Sequence, residues 1–78
     1  MIKRTEKLVI TFYITTDAMN MEQLCKNMSA DGRLIPTPSE ITADCGLSWC
    51  AKTESRIQLE NIMKENTITP QGIYLCMV

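Results

Sequence analysis

The order of apolar patterns in this 78-residue chain predicts an α+β fold of β-α-β-β-α-β order. Three observations carry the prediction. Two short segments, 7–13 and 47–51, alternate with period two and are rich in β-formers. Two longer segments repeat apolar residues at helical spacing. Asp31-Gly32, Pro36, Asn66 and Pro70-Gln71-Gly72 punctuate the spaces between them. That order suggests a ferredoxin-like βαββαβ two-layer sandwich: a four-stranded antiparallel sheet with two helices on one face and the other face open.

Each element has a local reason. Leu8, Ile10 and Phe12 share one face of the first strand, and Val9, Thr11 and Tyr13 the other. Both faces are apolar, as in a central strand. Thr15-Thr16-Asp17 offers N-caps, and Ala18, Met21, Leu24, Cys25 and Met28 form one helical stripe. Gly32 suits a left-handed cap at its end. Arg33-Leu34-Ile35 is a short strand halted by Pro36, which belongs at a sheet edge. Thr37-Pro38-Ser39-Glu40 reads as a capping box opening one or two helical turns over 38–43. Leu47 to Ala51 is the third strand, with Leu47, Trp49 and Ala51 toward the core. Thr53 caps the second helix, whose stripe is Leu59, Ile62 and Met63, with Ile57 off axis. Asn66 closes it, and Ile73 to Val78 is the last strand.

The chain is one domain, 1–78. A domain this small buries only about 60–65% of the surface its unfolded chain would expose, so a homodimer is expected. Net charge is −1 with no basic cluster, which gives no electrostatic case for nucleic acid or an acidic membrane. The βαββαβ order is shared with RNA-recognition domains, but their basic and aromatic signature is missing. No apolar run approaches the ~20 residues of a membrane span. The positive start, Met1 to Lys7, is followed by an apolar stretch broken by Thr11, Thr15 and Thr16, unlike a signal peptide. The expected location is the cytoplasm, where the four cysteines are reduced thiols.

There is no histidine, so Ser-His-Asp and Cys-His catalysis are excluded. Gly-rich phosphate loops and dinucleotide fingerprints are also missing, and no cofactor is expected. The spacing C-x19-C-x4-C-x25-C lacks the paired ligands of a zinc site. Cys25 falls on the apolar stripe of the first helix and Cys76 in the last strand, facing away from Leu75 and Met77; both read as packing. The methionines at 19, 21, 28 and 63 read as helix core.

Cys45 is the distinct thiol. It sits in a loop beside Gly46, where a capped turn meets a strand. Gly46 leaves room for a partner's sulfur, and the N–H groups of Gly46 and Leu47 suit a thiolate or persulfide. Lys52, Arg33 and Arg56 are candidate cations, whereas Asp44 would disfavour the thiolate. Two roles fit: a reactive thiol, or a buried loop anchor. Cys50 lies on the open face of its strand, as packing or as a second functional thiol. A Cys45–Cys50 bridge is disfavoured, because five extended residues span roughly 16 Å and a disulfide needs Cα atoms within about 7 Å.

Arg33-Leu-Ile-Pro-Thr-Pro-Ser-Glu-Ile41, followed by Cys45-Gly-Leu47, resembles the signature of a small bacterial family of selenium/sulfur carrier protein-like domains. The resemblance extends to Thr16-Asp-Ala18 and Gly72-Ile-Tyr74, and so over nearly the whole chain. It implies a carrier of reduced sulfur or selenium, with Cys45 as the carrier thiol and donor and acceptor proteins as partners. The resemblance implies a basic residue where this chain has Cys50. A carrier or binding protein is therefore expected rather than an enzyme. The alternatives are a non-catalytic dimerisation or protein-interaction module using the open sheet face, and a small-molecule sensor, which rests on fold analogy.

Overall fold

A computed structural model describes residues 5–78; positions 1–4, which belong to the positively charged start, lie outside the described residues. Four strands and two helices follow one another as β1 (Glu6–Phe12), α1 (Thr15–Asn27), β2 (Arg33–Pro36), β3 (Leu47–Ala51), α2 (Arg56–Glu65) and β4 (Pro70–Met77). The strands form one antiparallel sheet of order β2-β3-β1-β4. This is the predicted ferredoxin-like arrangement. β1 is central because both its faces are apolar, and Leu8, Val9, Ile10, Thr11 and Phe12 are all fully buried. β2 is an edge strand, as Pro36 requires.

Leu8, Ile10, Phe12, Trp49 and Ala51 meet Ala18, Met21 and Cys25 of α1 and Leu59, Ile62 and Met63 of α2 in one core. Met19 and Met28, expected in that core, are instead 60% and 51% exposed. Only the Ala18-Met21-Cys25 line of α1 faces the sheet, so neighbouring positions at looser helical spacing point outward. Gly32 does not cap α1. The helix ends at Met28, and Ser29 takes the left-handed conformation (φ 54°). Thr53 does not cap α2 directly; a 3-10 turn, Thr53–Ser55, precedes the helix without a side-chain cap. Asn66 does close α2, its Nδ2 donating to Ile62 O at 2.9 Å. β4 starts three residues earlier than expected. Pro70 suits the first position of a strand, and Pro70 pairs with Phe12 beyond a register shift.

The segment 37–46 departs most from expectation. It holds no helix. Ile41 N–H donates to Pro38 O at 3.0 Å, closing a single turn. Thr37 makes no cap, because its hydroxyl is taken up by Cys45 O at 3.0 Å and Ser48 Oγ at 2.7 Å. The second sheet face is consequently not open. Val9, Thr11 and Ser48 on that face are fully buried although both helices pack on the other. The segment reaches toward the far strand, where the Asp44 N–H donates to Gln71 Oε1 at 2.9 Å.

Burial of Cys25 within the core pushes its thiol from 9.0 up to about 11. The unfolded chain then ionises first as pH rises. This stability is fully present below pH 9 and lost as pH climbs toward 11, by at most about 3 kcal/mol. Urea denaturation at about pH 8 and about pH 10.5 should show that fall, and Cys25→Ala should flatten it. An unchanged slope in the variant would assign the loss to other groups.

Candidate functional site

Cys45 lies where the 37–46 segment enters β3, at the end of the sheet where β1 gives way to α1. Its N–H donates to Phe12 O at 3.3 Å, and its carbonyl accepts from Thr37 Oγ1. Its backbone is thus held between the end of β1 and the first residue after β2. The side chain turns into the core and is 3% exposed. Leu47 N–H donates to the sulfur at 3.4 Å, and the thiol donates to Thr15 Oγ1 at 3.6 Å. Thr15 is the first residue of α1, so the sulfur stands at the positive end of a 13-residue helix. On ionisation the Thr15 hydroxyl can turn to donate. Of the two N–H groups expected at the sulfur, Leu47 supplies the one observed.

Gly46 is exposed, and a Cβ built on it meets nothing within 4 Å. Nothing in the fold of the chain itself requires glycine there.

The cations expected near Cys45 are elsewhere. Lys52 follows β3 at its far end, roughly 16 Å along the strand from Leu47. Arg33 pairs with Cys50, not with the start of β3. Arg56 opens α2 beyond Lys52 and pairs with Glu60 at 2.7 Å. Sequence reasoning misses Thr15 at the sulfur and Thr37 at the Cys45 carbonyl. Both read locally as caps, and only the tertiary arrangement assigns their hydroxyls to Cys45.

Cys50 is on the opposite sheet face from the core, directly across from Arg33 on β2 and Val9 on β1, and is 7% exposed. Cys45 and Cys50 therefore occupy opposite sides of the sheet, and all four cysteines are free. Burial pushes the Cys50 thiol up, against the pull of Arg33 and Lys7, with Asp31 adding to the rise. Burial likewise raises Cys76, helped by Glu40 and Cys50. Among the described residues, no three His, Cys, Asp or Glu side chains come together as metal ligands. No helix among them is long and apolar enough to cross a membrane.

The model of a family described as "putative Se/S carrier protein-like" matches residues 7–75, most of the chain. The chain belongs to that family. Within this Se/S carrier-like chain, the match runs from β1 into β4 and includes both Cys45 and Cys50. No curated protein and no solved structure matches the chain.

Proposed function

We propose that this Se/S carrier-like chain carries sulfur or selenium on Cys45. The observation that carries the reading is the setting of that sulfur, which accepts the Leu47 N–H at the start of α1 beside the unobstructed Gly46. The Cys45 thiolate attacks the outer atom of a donor protein's persulfide or perselenide. A new S–S or S–Se bond forms, the donor's bond to that atom breaks, and the donor leaves as its thiolate. Cys45 then bears –S–SH or –S–SeH, and an acceptor thiolate takes the outer atom by the same exchange. The net redox state is unchanged at each step. Because Cys45 is buried, loading requires the 37–46 segment to lift from β3, and Gly46 gives the partner sulfur a close path to the backbone. The thiols of this carrier are reduced, as they are in cytoplasm.

Incubation with a cysteine desulfurase and cysteine tests the reading by intact mass. Wild type should gain the mass of one sulfur, and Cys45→Ser should lose most of that adduct. An equal adduct on the variant, or none on wild type, would overturn it.

A second reading, a self-associating binding module, is favoured by edge strand β4, where Tyr74, Leu75 and Met77 are exposed. It predicts a dimer at micromolar concentration and no sulfur adduct on Cys45 after incubation with the desulfurase.

A further inference from the structure

A second site lies on the other side of the sheet. Lys7, Asp31, Gly32, Arg33, Cys50, Ala51 and Val78 enclose a cavity of about 270 Å³. Liquid water takes roughly 30 Å³ per molecule, so the space holds a small polyatomic anion with water to spare. Register places two cations around the thiol. Arg33 is the direct cross-strand partner of Cys50. Lys7 precedes Val9, the partner of Cys50 on β1, by two residues and shares its face. Such diagonal neighbours are roughly 7–8 Å apart, within reach of a long side chain.

Arg33 and Lys7 both favour the charged form of Cys50, and Asp31 opposes them. Among the described residues the one ion pair is Arg56–Glu60, so neither Lys7 nor Arg33 is matched by a carboxylate. Asp31 also borders the cavity, but one of its carboxylate oxygens accepts the Lys52 N–H at 2.8 Å. Cys76 on β4 also acts on Cys50 from this side, with Glu40 beside it, and Val78 borders the cavity. The Cys50 side chain is more than nine-tenths buried and lines the cavity. Unlike the Cys45 sulfur, its sulfur forms no hydrogen bond among the described residues.

The geometry points to Cys50, Arg33 and Lys7 as a site that takes a small dianion carrying an outer sulfur on a sulfonate head, as thiosulfate does, and accepts that sulfur. This extends the carrier reading by a second entry for sulfur that needs no donor protein. Arg33 and Lys7 hold the sulfonate oxygens by charge-assisted hydrogen bonds. Cys50 first gives its proton to water. Its thiolate then attacks the outer sulfur of S–SO3²⁻. The new S–S bond forms, the bond to the sulfonate breaks, and its electron pair leaves with sulfite. Cys50–S–S⁻ remains. Charge balances, and no oxidant or reductant is consumed.

Thiosulfate is the probe. Wild type should release one sulfite per sulfur gained, and the rate should climb about tenfold per pH unit below the Cys50 ionisation. After alkylation and digestion, fragmentation of the peptide from Leu34 to Lys52 should place the added sulfur on Cys50. Arg33→Met and Lys7→Met should each slow loading about tenfold, with folding checked by circular dichroism. Competing sulfate should slow wild type with no substitution at all. Loading without sulfite, an adduct on Cys45, or insensitivity to sulfate and to both variants would each overturn the site. None of these outcomes touches desulfurase loading of Cys45, so the two readings fail separately.

Discussion

Replacing Gly32 with alanine should destabilise the protein by roughly 3–5 kcal/mol, combining backbone strain with overpacking. Gly32 sits at φ +126°, a conformation that residues with a side chain rarely adopt. A Cβ there would stand 2.6 Å from Cε2 of Trp49 and 2.8 Å from the carbonyl oxygen of Cys50. The indole cannot retreat freely. It is buried in the core, and its Nε1–H donates to Asp31 O at 3.2 Å. A domain of this length has about 4–12 kcal/mol in total, so the variant should lose a quarter or more of its stability. Urea titration followed by Trp49 fluorescence measures the loss. A midpoint equal to wild type would show that the connection between α1 and β2 can rearrange around a methyl group.

Thr37→Val should cost about 1–3 kcal/mol and speed alkylation of Cys45. The Thr37 hydroxyl joins the Cys45 carbonyl to the Ser48 hydroxyl, which is fully buried. Valine keeps the shape but strands the Ser48 oxygen, and the full desolvation cost of that group then appears. Adding Ser48→Ala removes the stranded group and should recover much of the stability. It should not restore slow alkylation, because the tie between residue 37 and the Cys45 carbonyl is still gone. Denaturation midpoints and iodoacetamide rates for the three variants separate the two effects. If single and double variants lose equal stability, the hydroxyl pair is not what holds the segment.

Legibility in the sequence followed the range of the interactions. β1 could be placed at the centre of the sheet because its own residues are apolar on both faces. The facing of Trp49 and Cys50 followed from alternation within five residues. Thr37 and Gly32 misled for the same reason in reverse. Each carries a strong local signal, for a cap or a helix stop, and each is used by a distant partner: Ser48 for Thr37, Trp49 for Gly32. Met19 and Met28 show the limit of helical spacing, which marks a broad stripe where the sheet accepts only a narrow one. At the site, the Leu47 N–H two residues from Cys45 was foreseeable. Thr15, thirty residues away, was not, and neither was the distance to Lys52, Arg33 and Arg56. Charge in a sequence has no direction along a strand until register is known. That same register puts Arg33 beside Cys50.

The strand order has a consequence for how the chain folds. β1 is hydrogen-bonded on one edge to β3 and on the other to β4, with Glu6 opposite Met77. The contacts that complete the sheet therefore join residues about as far apart as the chain allows, and such distant pairings form slowly. A nascent chain that has not yet produced residues 70–77 carries its most apolar strand with one bare edge. Until then it resembles an aggregation-prone intermediate more than a small finished domain.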